Sequence, residues 1–129
     1  MSDPRLMLVV LEVADLERSL AFYQDLLGVP LHRSRHETGD DRWISGDHAA
    51  TSWQGGACLH FALYQSKGVV TRGVQLGFPS DDLDAAHRRL VAAGVPCDHG
   101  PRQEPWGRTA RYLDPDGNSV SLTESKRAS

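Results

Sequence analysis

Residues 105–124 read PWGRTARYLDPDGNSVSLTE, with two strand-like runs on either side of the turn-forming residues 114–118. The proline early in this turn fixes φ, the aspartate and asparagine side chains can bond their own backbone, and Gly117 supplies a positive φ. The pattern predicts a β-hairpin with a defined reversal. We expect this hairpin to form the last wall of a binding cavity.

The composition of the 129-residue chain is that of one soluble globular domain, with 40% hydrophobic and 24% charged residues. No apolar run reaches the length of a membrane span, and a net charge of -3 argues against nucleic acid or an anionic membrane as a partner. The opening MSDPRL has no signal-peptide apolar run, which predicts a cytoplasmic location. Cys58 and Cys97 form no CxxC pair, so neither a zinc knuckle nor a disulfide framework is expected.

The same order of elements is predicted twice along the chain. Residues 6–13 are a β-rich run, Asp15 can cap a helix with one apolar face that ends at Gly28, and strands are expected at 29–36, 42–47 and 57–65 with a polar loop at 48–56. The second series has a strand at 73–78, a helix at 82–93, a strand at 95–99 and the hairpin.

Matching residues support this repeat. Val9, Val13, Asp15 and Leu16 recur 67 residues later as Leu76, Ser80, Asp82 and Leu83, whereas Gly28-Val29-Pro30 recurs after 66 as Gly94-Val95-Pro96. A one-residue slip inside the helix reconciles the two spacings. The predicted fold is α+β: two tandem βαβββ modules, about residues 6–65 and 73–124, within one domain spanning 1–129 with a flexible tail at 125–129.

Strand alternation divides the residues between two sheet faces. The residues expected to pack on the helices are Val9, Leu11, Val13, Leu59, Phe61, Leu63, Leu76, Phe78, Val120 and Leu122. The opposite face carries Leu8, Val10, Glu12, Cys58, His60, Ala62, Tyr64, Gln75, Gly77, Ser119, Ser121 and Thr123. A mixed face of this kind, curled into a trough with the helices outside, suits a small-molecule site.

The pattern resembles the vicinal oxygen chelate superfamily, which includes glyoxalase I, extradiol dioxygenases and bleomycin-resistance-type binding proteins. The resemblance covers about residues 6–124 and rests on LEVADLERSLAFY at 11–23 and on WGR at 106–108 through DPDGN at 114–118. Metal-dependent members usually place His, Glu or Gln at four strand positions, which fall here on Leu8, His60, Gln75 and Ser121. Leucine cannot bind a metal and serine binds one poorly. The resemblance thus favours the metal-free branch, whose dimers build two sites from both chains.

The aromatic and charged side chains complete the predicted site. Indole and phenol rings can stack on a planar ligand, and Arg111 can bind a carboxylate or carbonyl oxygen or instead form a salt bridge at the rim. The predicted ligand-binding residues are Leu8, Val10, Glu12, Trp43, Trp53, Cys58, His60, Tyr64, Gln75, Trp106, Arg111 and Ser121.

These observations predict a homodimeric, metal-independent protein without a cofactor that binds a drug-like aromatic molecule, with antibiotic sequestration as its role. One alternative is a metal-dependent lyase, isomerase or dioxygenase with a divalent ion at Glu12, His60 and Gln75. Another is a metal-free isomerase or cyclase that uses Glu12 or His60 as the base. The sequence leaves open the ligand, any catalysis, and whether the modules pair within one chain or between chains.

Overall fold

The computed structural model describes residues 6–36, 46–51 and 59–124. The elements, in chain order, are β1 (Leu8–Val13), α1 (Leu16–Leu20), a π-helical segment (Ala21–Leu26), β2 (Leu31–His36), β3 (Gly46–Thr51), β4 (His60–Gln65), β5 (Gln75–Ser80), α2 (Leu83–Ala92), β6 (Cys97–Glu104), β7 (Gly107–Leu113) and β8 (Ser119–Glu124). The contacts divide the chain into a first unit, Met1–Val70, and a second unit, Thr71–Ser129. The α+β class and the repeated βαβββ order are therefore confirmed.

Each unit contains one mixed four-stranded sheet. The strand orders are β1-β4-β3-β2 and β5-β8-β7-β6. The first and last strands of each unit are parallel neighbours, with Leu8 opposite His60 and Gln75 opposite Ser119. The remaining pairs are antiparallel. The two units thus share one topology, as the sequence repeat predicts.

The helices begin and end at the predicted residues. The Asp15 side chain accepts hydrogen bonds from the backbone of Glu17 and Arg18, and the Asp82 side chain accepts one from Ala85. These bonds satisfy backbone donors that have no partner within the first helical turn. Gly28 and Gly94 follow the two helices with φ of 82° and 79°. Other residues rarely adopt this left-handed conformation, so glycine ends both helices.

The slip between the two repeats appears as the π-helical segment. We predicted a regular α-helix up to Gly28, but the Leu27 amide donates to the Phe22 carbonyl at 3.0 Å, five residues back. One added residue would turn every later side chain by about 100° around an α-helix and move its apolar stripe off the core. A widened π turn absorbs the residue instead. Gly28 therefore still ends the helix as Gly94 does.

The core of each unit lies between its sheet and its helices. In the first unit, the buried Tyr23 ring meets Phe22 and Phe61 edge-on, with centroid distances of 4.9 and 5.4 Å. The fully buried side chains include Leu11, Val13, Leu63, Leu83, Leu90, Tyr112 and Val120. This burial pattern confirms the predicted strand parity, with one correction. Leu59 is 49% exposed because it precedes β4 and does not extend the strand.

Two strands end four or five residues later than predicted. Residues 48–51, expected in a polar loop, belong to β3, where Ala49 is fully buried opposite Leu63. Histidine and alanine have little intrinsic strand preference, so pairing with β4 determines this strand. Likewise β6 extends beyond residue 99 to Glu104. It pairs with β7 through two register shifts, and as the last strand of its sheet it tolerates Pro101.

Candidate functional site

The first unit has an open cavity on the sheet face opposite its helices. We call this cavity the hollow; its volume is about 280 Å³. It is lined by Met7, Leu8, His48, Ala50, His60, Ala62 and Tyr64. A cavity of this size, with mostly apolar walls and a few polar groups, is typical of a small-molecule site.

Small side chains at the middle of the hollow create its space. Ala50 on β3 lies directly opposite Ala62 on β4, so two alanines form the floor. Larger side chains stand two residues away in each direction along β4, His60 on one side and Tyr64 on the other. The hollow therefore follows from strand register: two small residues meet where larger ones would fill the face.

One end of the hollow is aromatic. His48 is buried, and its ring centroid lies 5.3 Å from that of Tyr64 at an interplanar angle of 53°. Burial raises the pKa of the Tyr64 phenol, because the low-dielectric surroundings disfavour the phenolate. The phenol accordingly stays neutral near pH 7 and can donate a hydrogen bond. This end of the hollow offers ring edges and a neutral donor to a planar ligand.

The structure brings together part of the predicted site in the first unit. Leu8, His60 and Tyr64 line the hollow, whereas Glu12 is exposed opposite Tyr64 and does not line it. Val10 is half-buried opposite Ala62. Trp43, Trp53 and Cys58 lie outside the described residues.

Four lining residues were absent from the predicted ligand-binding set: Met7, His48, Ala50 and Ala62, of which Ala62 was predicted on the correct sheet face. His48 and Ala50 were assigned to a loop, although their spacing of two residues is that of one strand face. Met7 precedes β1, and its carbonyl accepts from the His60 amide at 2.8 Å.

The other described site residues lie on the second unit. Its open face, the side of the second sheet away from α2, carries Gln75, Gly77, Thr109, Arg111, Ser121 and Thr123. Arg111 lies opposite Ser121, which lies opposite Gly77. Trp106 is 67% exposed at one end of this face, where its indole Nε1 donates to Thr109 Oγ1 at 3.1 Å.

The four family ligand positions do not fit a catalytic divalent ion. Leu8 offers no donor atom and Ser121 only a neutral hydroxyl, which leaves His60 and Gln75, whereas such a site generally has about three good nitrogen or oxygen ligands. Glu12 does not compensate: it pairs with Tyr64, four residues beyond His60, or roughly 13 Å along the strand. Among residues 6–36, 46–51 and 59–124, no three His, Cys, Asp or Glu side chains cluster to hold a metal ion.

The helices within the described part of the chain are too short, or too polar, to cross a bilayer.

Comparison with known proteins gives a family match over most of the chain. Residues 5–122 match the sequence model of the Glyoxalase/Bleomycin resistance protein/Dioxygenase superfamily. A probable lactoylglutathione lyase of Vibrio parahaemolyticus is 28% identical over 138 aligned positions, covering 100% of this chain and 96% of the relative.

Solved structures similar to this chain include two from Streptomyces sp. CB03234. TnmS3, an antibiotic binding protein, superposes with a TM-score of 0.69 at 26% identity and covers 98% of this chain and 99% of its own. A glyoxalase/bleomycin resistance protein superposes with a TM-score of 0.66 at 27% identity and covers 92% of this chain and 99% of its own.

Proposed function

Because the chain belongs to the Glyoxalase/Bleomycin resistance protein/Dioxygenase superfamily, we propose that it binds a drug-sized aromatic molecule without a metal ion and sequesters antibiotic-like compounds. The hollow on the first unit carries this proposal. Its alanine floor leaves space for a flat ring, and its ends hold a His48–Tyr64 ring pair and the side chains of Leu8 and His60. The likeness to an antibiotic binding protein supports the ligand class.

A flat aromatic ligand suits the hollow better than a flexible polar one. The walls are largely apolar, and burying apolar ligand surface there contributes roughly 25 cal/mol per Å². Imidazole and phenol rings also favour offset or edge-on contact with another aromatic ring. The neutral phenol of Tyr64 provides one oriented donor, which gives the site polar selectivity without a charge.

The lyase name of the Vibrio relative does not carry over to this chain. A metal-assisted reaction needs ligands to hold the ion, and the positions that would supply them include Leu8 and Ser121. Of the two bases considered for metal-free catalysis, Glu12 does not line the hollow, whereas His60 does. We therefore propose binding as the function.

Filling the hollow tests the proposal. Ala50→Leu adds three carbons at the floor, and we expect it to weaken binding of the neutral fluorescent probe N-phenyl-1-naphthylamine about tenfold, or about 1.4 kcal/mol. Ala50 is partly exposed and lines the hollow, so the larger side chain enters the hollow and not the core. Fluorescence titration measures the dissociation constant.

The matched control is Ala92→Leu, the same change at an exposed position of α2. It should leave probe affinity unchanged, and both variants should keep the thermal midpoint of the parent within a few degrees, about the effect of 1 kcal/mol. Equal affinity in Ala50→Leu and Ala92→Leu would contradict the assignment of the site to the hollow.

A homodimer is the second part of this proposal. Leu6, Met7, Leu8 and Leu59 are 74%, 58%, 47% and 49% exposed, and they stand at the start of the neighbouring strands β1 and β4. A grouped apolar surface of this kind commonly marks an interface. Light scattering at micromolar concentration is expected to give twice the chain mass of 14.2 kDa.

Leu59→Lys should shift this mass toward the monomer, because an ammonium group would be placed within the apolar contact. Val69→Lys, at a residue that is 80% exposed outside this group, serves as the control and should remain dimeric. A parent that stays monomeric at all concentrations would refute the dimer.

A further inference from the structure

We infer that Arg111 selects ligands that carry an oxygen acceptor, best as an anion such as a carboxylate or sulfonate, on a flat aromatic ring. This inference rests on the proposed function and concerns a second surface, on the second unit, to which it assigns a ligand class. It arises from hydrogen-bonding capacity that the fold leaves unused on the open face of the second unit.

Arg111 lies in the middle of β7 with strands on both sides. It is opposite Ser121 on β8 and His99 on β6, and its side chain is 42% exposed. Thr109 on the same strand and Ser121 on β8 stand on the same face, so the neighbours of the guanidinium on these two strands are neutral. A cation held over a sheet face in this way is accessible to a ligand.

The donors of Arg111 are poorly used within the protein. A guanidinium carries five N–H donors. The carboxylate of Asp98 approaches only to 3.9 Å from Nη1, beyond hydrogen-bond distance. The buried Nε has no hydrogen-bond partner among the described residues. A buried donor without a partner is unfavourable, and such groups are rare in native proteins.

Arg108, on the opposite face of the same strand, shows what a structural arginine does in this fold. It donates to both carboxylate oxygens of Asp84, at 2.8 and 3.1 Å, and lies 3.8 Å from Glu124. The hydrogen bond to Asp84 raises the pKa of Arg108 and lowers the pKa of Asp84. Arg108 thus fastens β7 to α2. Arg111 makes no comparable bond to any residue that the structure describes, so a purely structural role does not explain it.

The surroundings of Arg111 fit an aromatic acid. Gly77 lies opposite Ser121 and has no side chain; a Cβ there would stand 3.2 Å from Ser121 Oγ, so glycine keeps this strip of the face open. The exposed Trp106 ring is anchored at Thr109, two residues or roughly 7 Å along β7 from Arg111. This spacing allows a ring to lie against the indole while its oxygen substituent meets the guanidinium.

Two probes with the same ring system test the inference. 1-Anilinonaphthalene-8-sulfonate carries an anion and N-phenyl-1-naphthylamine is neutral. Arg111→Gln is expected to weaken binding of the sulfonate probe about tenfold, because a charge-assisted contact is lost. The affinity for the neutral probe should change by no more than about twofold. Arg111→Lys should bind the sulfonate probe with an affinity between those of the parent and Arg111→Gln, since lysine keeps the charge but lacks the planar guanidinium.

Asp98→Asn should change the affinity for the sulfonate probe in the opposite direction. It removes the competing carboxylate beside Arg111 and should tighten the sulfonate about twofold, with no change for the neutral probe. Arg108→Gln is the matched control on the other face. It should lower stability without changing the ratio of the two affinities.

The outcomes separate this inference from the proposed function. Neutral-probe binding that is sensitive to Ala50→Leu, with sulfonate binding insensitive to Arg111→Gln, would overturn the inference and leave the proposed function standing. Equal weakening of both probes by Arg111→Gln would also overturn it. If neither probe binds the parent protein, both proposals fail. A thermal unfolding curve of each variant establishes that it is folded.

Discussion

Asp114→Ala is expected to lower the free energy of unfolding by about 3–5 kcal/mol, because it leaves several buried donors without a partner. Asp114 Oδ1 accepts from the amides of Asp116 and Asn118 at 2.9 and 2.8 Å, and Oδ2 accepts from the Asn118 side-chain amide at 3.1 Å. Asp114 is 4% exposed. Water therefore cannot easily replace the carboxylate, and urea unfolding measures the loss.

Asn118 connects this turn to the beginning of the second unit. Its Oδ1 accepts from the Val74 amide, and its Nδ2 donates to the Thr71 carbonyl, both at 3.0 Å. Asn118→Ala should thus also be strongly destabilising, and the double variant with Asp114→Ala should lose less than the sum because the two side chains share a bond.

Asp25→Ala, at an exposed helical position, is the control for removing a carboxylate and should change stability by less than about 0.5 kcal/mol. A loss below about 1 kcal/mol in Asp114→Ala would contradict the network.

Between pH 10 and pH 12, the free energy of unfolding is expected to fall by about 2–3 kcal/mol because of Tyr112. Burial raises the pKa of Tyr112 to about 12, and the nearby Cys97 thiolate adds to the shift. The side chain is fully buried, and its hydroxyl shares a hydrogen bond of 2.7 Å with His87 Nδ1.

Stability falls as the pH rises because the folded state favours the neutral phenol of Tyr112 over the phenolate. In the unfolded chain the phenol ionises near pH 10, whereas in the folded chain it keeps its proton to about pH 12. The folded state thus binds more protons over this range. The stabilisation is fully present below pH 10 and is lost as the pH rises through 12.

Comparing the parent with Tyr112→Phe isolates this titration. The variant lacks the hydroxyl, and its free energy of unfolding at pH 7 should be about 1 kcal/mol lower because the hydrogen bond to His87 is lost. Its stability should then fall less steeply above pH 10, since titrations common to both proteins cancel in the difference. Identical slopes in urea unfolding at pH 9 to 11 would refute the role of Tyr112.

The hairpin and the helix ends could be predicted because their chemistry is local. The Asp114 side chain bonds amides two and four residues on, and Asp15 and Asp82 cap helices that start at the next residue. The face of a strand residue is likewise set by alternation, which a sequence displays directly.

The hollow could not be predicted because it depends on long-range register. Ala50 and Ala62 are unremarkable in sequence, and only the β3–β4 pairing places them opposite each other. Asp98, whose carboxylate stays 3.9 Å from Arg111, stands at a register shift in β6 that no local pattern specifies. Such features depend on which strands pair and in which register, and strands that pair can be many residues apart in the sequence.

The unequal helices also preserve a history of the chain. Caps and terminal glycines match between the units, so the length change lies between Asp15 and Gly28, where the π-helical segment Ala21–Leu26 stands. Duplication of a βαβββ unit, with a one-residue insertion or loss in one copy, accounts for this pattern. The π turn confines the effect of the extra residue to the helix, and both sheets have the same strand order.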